Sequence, residues 1–285
     1  MPYRPNYTTE QKPPEITYLF IDGGYLKRSY KDCTSQWFGN GVADWRNINF
    51  AAIKSHFKAK KVFYYDCLDE IPNQDEKEED FKARLSQQEN YFNQIRSLEG
   101  YHVKLGTLAG NPNNKRQKEV DVLLTVDMMN HTIRNNMTNA VLIAGDRDFK
   151  PVVESLVSMG MYVKIAYDPR SNSQDLRYAA DDSIPLLFEN YYYWSPPELK
   201  KKYPTPKIDQ AGGGDTPQRY RPSDAKFIKQ GKVDGYKAEL FQKDSQFILF
   251  FEKIEGGWTL KLSFNSQDRL ELYYSLKYGK KIEWD

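Results

Sequence analysis

From residue 15 to about residue 194, short apolar runs alternate with longer stretches of helical spacing. "ITYLFI" (16–21), "KVFYY" (61–65), "YHVKL" (101–105), "AVLIA" (140–144) and "YVKIA" (162–166) are mostly apolar on both faces. That is the pattern of strands covered on two sides. Between them, "EDFKARLSQQENYFNQIRSLEG" (79–100) sets Phe81, Leu85, Phe92, Ile95 and Leu98 near helical spacing and stops at Gly100. "QKEVDVLLTVDMMNHTIRN" (117–135) and "FKPVVESLVSMG" (149–160) read as further helices. Strands alternating with helices predict an α/β domain in three layers, α/β/α, around a mostly parallel central sheet.

The pattern changes at both ends of this region. Residues 1–14 are polar and carry Pro2, Pro5, Pro13 and Pro14, so they read as a loose tail. Residues 195–224 combine six prolines with three consecutive glycines, which reads as a linker. Residues 225–285 alternate in "WTLKLSF" (258–264), and "QFILFFEKIEGGW" reads as a strand entering a Gly-Gly turn. "RLELYYSLKYG" (269–279) alternates too, although a short helix fits it nearly as well. The expectation is a small β-rich C-terminal module, a candidate surface for a protein partner.

Composition narrows this picture. A chain of 285 residues with 39% hydrophobic positions can fill a core, and a net charge of +2 excludes a strongly basic nucleic-acid binder, though not a local basic groove. Cys33 and Cys67 form neither a metal-like pair nor a disulfide framework. No apolar run approaches the roughly 18 residues of a membrane span, and the start lacks a signal-peptide core. A cytoplasmic protein without membrane contact is expected.

The candidate chemistry lies in aspartates at strand ends. Asp22 closes the first strand, in "YLFIDGGYL", and Asp146 and Asp148 follow the fourth, in "LIAGDRDF". In an open parallel sheet, ligands bind outside the carboxyl ends of the strands, where strand order reverses. If these strands are neighbours, three carboxylates converge. Two unit charges about 4 Å apart cost roughly 4 kcal/mol at an effective dielectric near 20, which a divalent cation removes. An all-oxygen site suits Mg²⁺ or Mn²⁺. Asp121, early in the next helix, can reach the same edge or stand as a solvent-exposed first-turn acid favoured by the helix dipole. Asp127, six residues on, points about 120° away and lies on the apolar stripe, where a carboxylate needs a partner. Asp148 is also placed to cap the following helix, a role that leaves Asp146 unexplained. Gly23 and Gly24 are either a turn or a close approach to a ligand. Lys118 and Arg147 are candidates for gripping backbone phosphates, with a neutralising or solvent-facing role as the plain alternative. Asp66, ending the second strand, is a candidate for the rim of the site. His56, His102 and His131 are scattered and read as structural or surface residues.

"FIDGGYL", "QKEVDVLLTVDMM", "VLIAGDRDFKPVV" and "SQDLRYAADDSI", in that order and spacing, resemble the signature blocks of the NYN family, in the DUF88 or LabA-like branch of the PIN-like nucleases. The resemblance covers residues 15 to about 194. It implies a PIN-like fold, a Mg²⁺- or Mn²⁺-dependent acidic site and RNA as substrate. Carried over by position, the metal-holding and catalytic residues are Asp22, Asp121, Asp146 and Asp148, with Asp127 as a supporting carboxylate. Two positions depart from the family pattern: Tyr25 stands where asparagine is frequent, and Ala144 where serine is usual. The expected function is a metal-dependent ribonuclease acting on single-stranded RNA. Its rival is a catalytically weak RNA-binding or regulatory protein with residues 225–285 as adaptor. A phosphatase with an aspartyl nucleophile would want a second acid at position 24, which is Gly24.

Overall fold

The computed structural model describes residues 15–211, 221–222, 224–252, 254 and 259–285. The tail (1–14), the three glycines of 195–224 and the Gly-Gly turn before Trp258 lie outside the described residues. The chain divides into two compact units, one of residues up to Lys27 with Phe50–Pro185, the other of Arg28–Asn49 with Leu186–Asp285.

The first unit is built on a seven-stranded sheet. Its strands are β1 (Thr17–Asp22), β2 (Lys61–Cys67), β3 (Tyr101–Asn111), β4 (Asn114–Lys118), β5 (Asn139–Ile143), β6 (Tyr162–Tyr167) and β7 (Asp182–Pro185). They lie in the order β4-β3-β2-β1-β5-β6-β7, and all but β4 run parallel. The helices are α1 (Gly23–Phe38), which passes into the second unit at residue 28, α2 (Phe50–His56), α3 (Glu78–Arg96), α4 (Val120–Ile133), α5 (Lys150–Ser158) and α6 (Gln174–Tyr178). β1 and β2 are buried from their second residue onward. Alternate side chains therefore enter two cores. On one face Tyr18, Phe20, Phe63, Tyr65 and Leu142 pack with Leu124 and Met128 of α4, Val152, Val153 and Leu156 of α5, and Leu176 of α6. On the other, the Tyr64 ring meets Phe50 edge-on at 5.4 Å and the α3 residue Tyr91 at 6.2 Å. The mostly parallel sheet and the two helical layers agree with the sequence pattern.

The sequence pattern does not register the β3–β4 hairpin. β3 runs on to Asn111 and turns back through "NPNN", so residues 114–118 pair with β3 and α4 starts at Val120 rather than at residue 117. This arm is polar and mostly exposed. It carries no apolar periodicity to read.

The second unit contains α7 (Phe188–Tyr193), α8 (Pro197–Lys202), β8 (Lys207–Ala211), β9 (Lys226–Val233), β10 (Tyr236–Lys243), β11 (Gln246–Phe251), β12 (Thr259–Phe264), α9 (Gln267–Tyr278) and β13 (Glu283–Trp284). Its sheet, ordered β13-β9-β10-β11-β12-β8, is antiparallel, as the alternation predicts. Asp234 and Gly235 both adopt positive φ, which suits the tight turn between β9 and β10. Residues 267–278 take the helical option: Ser266 caps the start by accepting from the Arg269 N–H, and Gly279 ends it in the left-handed conformation. The division also redraws the expected boundaries. Within 195–224, residues 197–202 are helical and residues 207–211 pair with β12. Residues 28–38 join this unit because Trp37 packs edge-on against Phe188 and Tyr273. Tyr191 and Trp194 of "YYYW" are fully buried, so they fill a core. Among the described residues, no helix is long and apolar enough to cross a membrane.

Candidate active site

Strand order reverses at β1, which has β2 on one side and β5 on the other. Ile21 lies opposite Ile143, so the carboxyl ends of β1 and β5 finish side by side. This is the crevice where open α/β sheets bind ligands. Asp22 is the last residue of β1. It is aligned with Tyr65 of β2, and therefore faces the α4–α5 side of the sheet. Its Oδ1 accepts the Tyr25 N–H at 2.9 Å, which makes it the cap of α1. Replacing Asp22 by Ala is expected to cost about 1 kcal/mol through this cap, while Asn keeps most of it. Urea denaturation of the two variants measures the difference.

Asp146 also caps a helical turn, which corrects the expectation that Asp148 does so. Its Oδ1 accepts the Asp148 N–H at 3.0 Å and starts a 3-10 turn over Arg147–Phe149. The extra turn moves the cap two residues upstream. α5 itself starts without a side-chain cap, with a proline in its first turn. The carboxylate of Asp148 accepts no hydrogen bond among the described residues and is exposed, like those of Asp146 and Asp121. Asp121 stands in the first turn of α4. Its carboxyl is held above the ordinary carboxylate range, first by loss of solvent and then by the negative charges of Asp146 and Asp148. The three acids therefore share one electrostatic field. Just before them, Glu119 holds φ at 71° without a side-chain cap, a strained start for the helix.

The other candidates are placed as follows. Asp127 is buried, accepts from the Tyr65 hydroxyl at 2.7 Å and pairs with Lys104 at 2.6 Å. It ties α4 to β2 and β3. Asp66 is fully buried on the opposite face of the sheet from Asp22, bonded to Lys27, the Tyr64 hydroxyl and the Cys67 N–H. That placement removes it from the rim. Lys118 is exposed at the end of β4, opposite Thr107. Arg147 is exposed and paired with Asp175 at 3.0 Å. Gly23 is accounted for by packing, since a Cβ there would lie 2.5 Å from the Tyr64 ring.

Tyr25, one of the departures from the family pattern, has a role the sequence does not announce. Its ring lies against Gly145, where a Cβ would come within 2.4 Å of it. Its hydroxyl donates to the Ser171 carbonyl and accepts the Asp168 N–H, both at 2.7 Å. The Ser173 N–H returns to the Gly145 carbonyl at 3.0 Å. One side chain thus joins the ends of β1, β5 and β6. The only local signal is Gly145, a glycine where a close approach demands one.

Among the described residues, no three His, Cys, Asp or Glu side chains are grouped so as to hold a metal ion. The fit to a divalent cation is one of chemistry: the donors are all oxygen, and three of them repel one another. The shell is not closed as the side chains stand.

The sequence pattern of the NYN domain matches residues 17–187. A solved structure similar to this chain is that of a protein of unknown function from Vibrio parahaemolyticus, with 16% identity, a TM-score of 0.45, and coverage of 62% of this chain and 96% of that one. No curated protein matches the chain. On the NYN match, which spans the parallel sheet and the positions of Asp22, Asp121, Asp146 and Asp148, the chain belongs to the NYN domain family of PIN-like nucleases.

Proposed function

We propose that the protein is a metal-dependent ribonuclease that hydrolyses phosphodiester bonds of single-stranded RNA, with Mg²⁺ or Mn²⁺ as its cofactor. The observation that carries this reading is the uncompensated field of Asp121, Asp146 and Asp148 at the sheet edge where β1 delivers Asp22. Evolution-neutral packing has no use for such repulsion, whereas an ion-binding site does. Asp22, Asp121, Asp146 and Asp148 would hold the ion. Asp121 and Asp148 are exposed and cap nothing, so turning them toward the ion costs little beyond rotamer entropy, while Asp146 can keep its cap and offer its second oxygen. When bound, the ion supplies Lewis acidity and a counter-charge for the phosphate. Lys118 and Arg147 would hold flanking phosphates, Arg147 by exchanging its exposed pair with Asp175. Asp127 stays committed to Tyr65 and Lys104 and supports α4.

The test is cleavage of end-labelled single-stranded RNA and DNA in Mg²⁺ or Mn²⁺, compared with chelator and with Asp146→Asn. Metal-dependent cleavage of RNA, lost in the variant, is expected. The absence of a closed donor group favours a second reading, a regulatory RNA-binding protein. RNA retained without metal-dependent cleavage would select it.

A further inference from the structure

α4 presents a second apolar stripe, facing away from the core. Val122, Val126 and Ile133 are 64%, 49% and 60% exposed, and half-buried Met129 lies between them. At 100° per residue these four positions fall within an arc of about 60° and span roughly 16 Å. The same helix buries Val120, Leu124 and Met128 on its inner side, so it carries apolar stripes on two faces. α3, on the opposite layer, exposes only polar residues and Ala83. Other exposed apolar residues of the first unit include Met159 at the end of α5 and Tyr178 at the end of α6, both in the α4 layer.

The ends of α4 differ in charge. Glu119 and Asp121 mark its start. Its end is marked by Arg134, exposed at the C-cap. An apolar stripe between an acidic and a basic pole complements its own reverse.

We propose that this face of α4 docks a second copy of the same chain, the two helices crossing antiparallel about a two-fold axis between residues 127 and 128. The interface is isologous. Val122 meets Ile133 of the second copy, and Val126 meets its Met129. Arg134 of the second copy comes beside Glu119, and the helix dipoles oppose. Two helices of 14 residues bury an area at the low end of stable interfaces, about 1,200 Å² in all, so the association is expected near micromolar Kd. The inference does not depend on nuclease activity.

Sedimentation of the full chain from about 1 to 100 μM in chelator tests it. Wild type is expected to pass from monomer to dimer. Val126→Glu sets carboxylates in the interface and is expected to weaken the dimer by about a hundredfold or more, with a melting temperature equal to that of wild type at concentrations where wild type is monomeric. Glu119→Arg and Arg134→Glu are each expected to weaken it about fivefold, and the double reversal to restore it. A wild type that stays monomeric throughout, a Val126→Glu variant that associates as well as wild type, or a double reversal weaker than either single change would overturn the proposal.

Discussion

Asp121→Asn is expected to lower metal-dependent RNA cleavage by at least about a hundredfold while raising the melting temperature of the chelated protein. Both effects come from one side chain. The fold holds the Asp121 carboxyl above its ordinary range, through lost solvent and then through Asp146 and Asp148. A raised folded value means that the group favours the folded state only while protonated. Its contribution is complete below the unfolded value, near about 3.9, and is lost as pH rises through the folded value. At neutral pH the wild type has lost it, whereas asparagine carries no charge to repel. The advantage of the variant should therefore be present near neutrality and absent below about pH 3.5. Mg²⁺ or Mn²⁺ should reverse the ranking, since an ion that binds only the folded wild type stabilises it by mass action. Melting curves with chelator and with metal, at both pH values, decide the matter. A variant that cleaves normally, or that melts lower in chelator, contradicts the assignment.

Lys27→Met is expected to destabilise the protein by about 3 kcal/mol, the lower end of the range for breaking a buried pair. Asp66 is fully buried and Lys27 Nζ lies 2.7 Å from its Oδ2. Removing the cation leaves a carboxylate that retains only neutral donors, the Tyr64 hydroxyl at 2.7 Å and the Cys67 N–H at 2.9 Å. These keep the cost from reaching the upper end. The double variant Lys27→Met/Asp66→Leu should recover most of the loss, because no charge then remains buried. Chemical denaturation of the three variants measures the coupling. Equal stability of Lys27→Met and wild type would mean that Asp66 does not depend on Lys27.

The parallel sheet was legible because β1, β2, β5 and β6 are short apolar runs rich in β-branched and aromatic residues, alternating with longer helical stretches. That β1 and β5 end side by side, setting Asp22 and Asp146 at or just past the ends of neighbouring strands, followed from strand ends, positions that local pattern does fix. Three features were not legible, each for a different physical reason. The β3–β4 hairpin is held by backbone pairing and by polar side chains such as Lys115, which pairs with Asp69, so it carries no apolar period. The cap moved from Asp148 to Asp146 because a 3-10 turn intervenes, and one turn of helix leaves no periodic trace. The attachment of Trp37 to Phe188 and Tyr273 joins residues more than 150 positions apart, and only packing reveals it. Tyr25 belongs with this last group, since its partners at Gly145, Asp168 and Ser171 come from other strand ends.

The two caps at the sheet edge have a consequence for ion selectivity. Asp22 and Asp146 each engage one carboxylate oxygen with a backbone amide, which leaves the second oxygen the better donor for a cation. Calcium sites draw on two-oxygen grips by carboxylates and a large, irregular sphere, whereas magnesium and manganese accept one oxygen per ligand in an octahedron completed by solvent. Were the proposed ion bound with both caps kept, Asp22 and Asp146 would favour ligation through one oxygen each, the mode of magnesium and manganese rather than calcium.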